Sequence, residues 1–129
     1  MIEKLETEIQ DVRIFESEHD KELACAFIQG AVYAWIGVNR DKPFAVRDLF
    51  GGENTWDWDS TPLNPLWKAY QEKGKTSEEA FDLAAKAAGK LLKIVLDKDR
   101  KRRFQVHKGY VNSYSWIAEE YICCTRRNT

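Results

Sequence analysis

Two sets of cations carry the most chemistry this sequence offers. One is a row of lysines, Lys86, Lys90 and Lys93, whose spacing of four and three sets them on one face of a helix. The other opens the stretch KDRKRRFQVHKGYVNSYSW at residues 98–116. There Lys98, Arg100, Lys101, Arg102 and Arg103 are broken only by Asp99, and His107 and Lys108 follow just before Gly109. Long cations held on regular elements are what a phosphate backbone needs, because each neutralised phosphate releases counterions. Lysine acts there as a point charge, and the helix carrying the row has no Arg, Asn or Gln for bidentate base contacts. The chemistry expected is charge-based and tolerant of sequence. Two features weigh against it. Such a row is most often the solvated face of an amphipathic helix, and Glu78, Glu79 and Asp82 precede it and repel phosphate.

A second constellation is the acidic tryptophan segment GGENTWDWDST, residues 51–61. Trp56 and Trp58 alternate with Asp57 and Asp59, so both indoles can project from one side of an extended loop. Exposed indoles beside Glu53, Asp57 and Asp59 suit a protein interface of inhibitor or immunity type, where aromatic anchors carry much of the energy. The competing use of either Trp is to fold back over the core. The three carboxylates lack the octahedral set of a dedicated cation site, and no metal is expected.

Catalysis has little to stand on. His19 and His107 are the only histidines, and no glycine-rich phosphate loop, HExxH helix or nucleophile elbow is present. The reading is of a protein that is not an enzyme and takes no cofactor. Cys25, Cys123 and Cys124 are odd in number and lack zinc-ligand spacing, and Cys25 reads as a core thiol.

These groups need a scaffold, and 129 residues fit one domain with a sizeable core, expected to span 1–129. The net charge of −1 hides a split: residues 1–65 carry −7 and residues 66–129 carry +6. Such a split points to one face for an anionic partner. The longest uncharged run, Leu23 to Asn39, is too short and too polar for a bilayer span, and the acidic start MIEKLETEIQD is no secretory signal. No membrane association is expected, and the location expected is cytoplasmic.

Along the chain, Ile2, Leu5, Ile9 and Val12 follow 3-4-3 spacing, which predicts a helical extension over residues 1–19, with a β stretch around VRIF as the alternative. Two heptads need a partner, either the core or a second copy paired through residues 2–15. From an Asp20 cap, a central helix is expected to bury a face of Leu23, Phe27, Ala31, Ala34 and Val38, widened by Ala24, Ile28, Trp35 and Ile36, and to end near Gly37-Val38-Asn39. Pro43 leads into a short strand at Phe44–Phe50. Thr61-Pro62 starts a helix that Gly74 stops. Thr76-x-x-Glu79 has capping-box spacing and opens a long helix burying Phe81, Ala84, Ala88, Leu91, Leu92 and Val95. Gly89 within it suggests close approach of another backbone. The alternation around Gly109 predicts a terminal hairpin, and residues 118–129 form a tail.

The order helix, short strand, helix, glycine turn, long helix, hairpin resembles winged helix-turn-helix domains over roughly residues 20–117. The resemblance rests on the order of elements and not on a residue motif. It implies an α+β, winged-helix-like fold, mostly helical, with one short strand and a C-terminal β-hairpin. It also implies duplex DNA as partner. The long helix would then enter the groove with Lys86, Lys90 and Lys93, and the hairpin would be a wing bearing Arg102, Arg103, His107 and Lys108. The 51–61 segment is longer than this layout requires.

Overall fold

Ser17, rather than Asp20, opens the first helix. In the computed structural model, which describes residues 1–5, 7–50, 60–109 and 111–117, the Asp20 N–H donates to Ser17 Oγ at 3.3 Å and α1 runs Glu18–Asn39. Its buried stripe is Ala24, Ile28, Val32 and Ile36, three of them from the residues expected to widen the face and none from its expected centre. Leu23 and Val38, expected inside, are 46% and 83% exposed. An uncharged run offers an apolar stripe at every rotation, so packing selects the rotation. Here it presents Ile28, Val32 and Ile36 to the shared core. The helix stops where Arg40 takes a φ of 56°.

The strand expected after Pro43 shrinks to one residue. Phe44 makes an antiparallel bridge with Tyr114, each N–H donating to the other's carbonyl at 2.8 Å. Asp48 then ends the extension, because its Oδ2 accepts the Ala45 N–H at 2.7 Å. That cap turns the chain into the short helix α2, Val46–Phe50. Beyond the segment at 51–59, Thr61 Oγ1 accepts the Leu63 N–H at 3.2 Å, and α3 follows at Asn64–Glu72 with Pro65 in its first turn.

Gly74 makes the turn out of α3 at a φ of +84°, a conformation that glycine adopts without penalty. The capping box forms as its spacing predicts. Thr76 Oγ1 accepts the Glu79 N–H at 3.2 Å, and the Thr76 N–H donates to Glu79 Oε1 at 3.1 Å. It starts α4, Ser77–Lys98, which buries Ala84, Ala88, Leu91, Leu92 and Val95 as expected, with Phe81 partly covered. Gly89 faces no backbone. A Cβ there would meet only Val46 Cγ2 of α2, at an ordinary 3.9 Å.

The sheet is small. β2 (Arg103–His107) and β3 (Ser113–Ile117) form the predicted hairpin, antiparallel with Phe104 opposite Trp116. Its other neighbour is unexpected: β1, Ile2–Glu3, runs parallel to β2 with Ile2 opposite Phe104. Among the described residues, no helix precedes α1, against the helical extension expected over residues 1–19. A lone two-turn helix gains little, whereas the edge of β2 offers unpaired backbone groups; the Phe104 N–H donates to the Met1 carbonyl at 2.8 Å. The residues that wrote the stripe still go inside. Ile2 and Val12 are buried, and Leu5 and Ile9 pack against the core. The apolar face set aside for pairing through residues 2–15 is used within the chain itself.

Phe44 lies at the centre of this arrangement. It is fully buried, meets Phe104 edge-on at 6.3 Å, and lies within 6.3 Å of Tyr114 and 6.0 Å of Trp35. One aromatic thereby ties α1, the bridge and the hairpin together. The result is α+β and mostly helical, with four helices and a three-stranded sheet among the described residues. None of the described helices is long and apolar enough to cross a membrane.

Candidate nucleic-acid interface

The helix cations line a groove with the tip of the hairpin. Lys86, Lys90 and Lys93 form one wall from α4, and Val111 and Asn112 close another beyond β2. Thr7, Glu8 and Gln10 of the N-terminal segment form the third wall, around a space of about 430 Å³. The floor is apolar, made by Val46, Leu92 and Tyr114 with Gly89.

The three lysines are not equivalent. Lys93 Nζ donates to Thr7 Oγ1 at 2.5 Å and to the Glu8 carbonyl at 3.3 Å, so it anchors the N-terminal segment onto α4. Lys86 reaches Asp82 one turn back at 3.6 Å, with both side chains well exposed. Such a pair is held weakly and yields easily to a phosphate. Lys90 is exposed and has no partner among the described residues. Of the acidic residues preceding the row, Glu79 is engaged in the cap, and its hydrogen bonds with Thr76 hold its carboxyl below the usual range. Glu8 brings an acidic residue that sequence reasoning placed on a remote helix.

The second set of cations is wired into the protein. Asp99, the one acid in that run, is 7% exposed and organises its surroundings. Its Oδ1 accepts the N–H groups of Lys101 at 2.8 Å and Arg102 at 3.0 Å. Its Oδ2 accepts from the Tyr33 hydroxyl at 3.2 Å and Gln29 Nε2 at 3.4 Å, both on α1. The Met1 ammonium donates to the carbonyls of Asp99 at 2.7 Å and Arg102 at 2.9 Å. The Arg102 guanidinium lies 4.6 Å over the Tyr33 ring and 5.6 Å from that of Trp116, a cation–π sandwich. Burial and the neighbouring Asp99 push the Tyr33 hydroxyl up from its ordinary pKa. Arg103 pairs with Glu3 of β1 at 3.2 Å.

Several expected contacts thus take other roles. Arg102 and Arg103 join the hairpin base to α1 and β1, and His107 Nε2 lies 2.8 Å from Ser115 Oγ across the strands. Arg102 and Arg103 instead border a separate open basin of about 780 Å³, shared with Lys98, Arg100 and Lys101. A five-residue strand, roughly 16 Å long, separates the hairpin base from its tip. Lys108 remains exposed near the tip. Glu53, Trp56, Asp57, Trp58 and Asp59 lie outside the described residues. Among those described, no cluster of His, Cys, Asp and Glu could hold a metal ion. Cys25 is half-buried, and burial raises its thiol pKa, so it stays protonated at neutral pH.

Sequence reasoning missed Thr7 and Gln10 because they come from a segment expected to be helical. It missed the Asp99 cluster too, although an acid alone among five cations was the visible sign. No family model matches this chain, and no curated protein or solved structure is significantly similar to it.

Proposed function

We propose that this chain is a winged-helix-type module that holds duplex DNA through its phosphates. The observation that carries the reading is the bridge between Phe44 and Tyr114. It gives the chain a minimal strand between α1 and the α3–turn–α4 pair, and that strand joins the second strand of the hairpin. This is the connection a winged helix-turn-helix requires, and order along the chain alone does not guarantee it. The parallel β1 and the extra helix α2 are additions to the layout.

DNA lies in this reading against the exposed side of α4, with Lys86 and Lys90 at its phosphates and Lys108 near the hairpin tip. Lys93 supports the site by fixing the N-terminal segment. With no bidentate base readers on the helix, recognition rests on backbone charge and groove shape. Arg102 and Arg103, already engaged, have no part in it.

The test is fluorescence anisotropy on random-sequence duplex at about 50 and about 200 mM salt. Binding should fall steeply between the two. Lys86→Glu with Lys90→Glu should abolish it while circular dichroism stays native, and Lys86→Ala with Lys90→Ala should flatten the salt slope by roughly two units. A protein that ignores DNA at low salt, or binds it unchanged after the double charge reversal, would sink the assignment.

A further inference from the structure

α1 and α4 are both 22 residues long, yet their outer faces differ in kind. The open side of α4 carries Asp82, Lys86 and Lys90, as an amphipathic helix facing water does. The open side of α1 carries Leu23, Ala26, Gly30, Ala34, Gly37 and Val38, all exposed. No charged residue occurs from Leu23 to Asn39, although only one stripe of that run is buried. A helix face about 20 Å long without a charge is built to be covered.

From this face we infer that the chain pairs with a second copy of itself, α1 packed antiparallel on α1 about a two-fold axis through Gly30. The charges at the two ends select that occupant. The N-terminal end of the face bears Asp20, and Arg40 stands just past the C-terminal end. Antiparallel pairing centred on Gly30 sets Asp20, five turns from Val38 and so on the same face, towards the Arg40 of the other copy. Leu23 meets Gly37, a large side chain over none, and Ala26 meets Ala34. Nothing lies within 4 Å of where a Cβ would stand on Gly30 or Gly37, so both positions are open to close approach. One patch that complements itself in shape and in charge is the signature of an isologous contact. The opposed helix dipoles add to it. The pairing does not depend on the nucleic-acid reading.

Sedimentation velocity on the full chain, from low to high micromolar concentration, tests it. The wild type should reach twice 15.0 kDa with rising concentration. Gly30→Glu should hold the protein at 15.0 kDa throughout, with a melting temperature no lower than wild type at concentrations where both are monomeric, since the replacement is exposed and favours the helix. Asp20→Arg should weaken pairing at low salt, and adding Arg40→Asp should restore it. A wild type that stays at 15.0 kDa would overturn the inference, as it would if another protein or this chain's own residues covered the face. A dimer indifferent to Gly30→Glu would overturn it too, and a charge swap without rescue would overturn the antiparallel arrangement.

Discussion

Two basic regions lie at opposite ends of one hairpin, and they differ in what their cations already hold. At the base, Asp99 accepts four hydrogen bonds, Arg102 is sandwiched between two rings, and Arg103 meets Glu3. At the tip, Lys90 has no partner among the described residues and Lys86 only a loose one. A run of cations in sequence therefore says little about charge available to a ligand. One buried acid among five bases converts the run into a joint between α1, the N-terminus and the hairpin, while a sparser lysine row keeps its charge outward.

The comparison can be broken first at Asp99. Asp99→Ala leaves two backbone N–H groups, a tyrosine hydroxyl and a glutamine amide without their acceptor, and should cost roughly 3 kcal/mol in urea denaturation. DNA affinity measured below the melting range should stay as it was; a mutant of full stability would dissolve the distinction between the regions. Arg102→Ala comes next, with roughly 1–2 kcal/mol lost from stacking and packing. Arg102→Lys should recover only part of that, because an ammonium lacks the planar face that lies over Tyr33 and Trp116.

At the tip, Gly89→Ala should raise stability by about 1 kcal/mol, since the added Cβ finds ordinary contact with Val46 and the helix gains propensity. The same variant sharpens the picture of the groove. Unchanged DNA affinity would show that the floor at Gly89 admits nothing, and a sharp loss would show a ligand backbone reaching it. The smallest effect concerns pH. Glu79 has a lowered pKa in the folded state, so its capping contribution is present above the ordinary glutamate range and lost as pH falls through the folded value. Thermal melts in acid should therefore fall less steeply for Glu79→Gln than for wild type across that range; parallel curves would mean the cap carries no linkage.

What could be read from the sequence followed the strength of local rules. The capping box at Thr76 and Glu79, the stop at Gly74 and the hairpin about Gly109 are set by short-range chemistry, and each forms where its residues stand. Elements decided by distant partners were misread. The first apolar residues keep their buried role but take it in an extended chain, because the edge of β2 lies about a hundred residues away and leaves no local mark. The buried face of α1 was legible only in part, at Ala24, Ile28 and Ile36, for a related reason: a run without charges does not declare its outer side. The candidate site divided along the same line. The helix spacing of Lys86, Lys90 and Lys93 was legible, whereas the bonds that occupy Lys93, Arg102, Arg103 and His107 come from residues remote in sequence or across a strand.

The parallel pairing of Ile2 with Phe104 also sets a schedule for synthesis. Chain growth runs from N- to C-terminus, so β1 is made about a hundred residues before β2 and waits while nearly all of the described fold emerges. During that interval Ile2 has no sheet to join and Leu5, Ile9 and Val12 have no complete core to pack on; the loop to be closed spans about a hundred residues. The nascent chain can assemble α3 on α4 from local contacts well before the sheet is complete. Residues 2–12 thus leave the ribosome long before they can be placed, and a chaperone that covers short apolar segments would meet its substrate there.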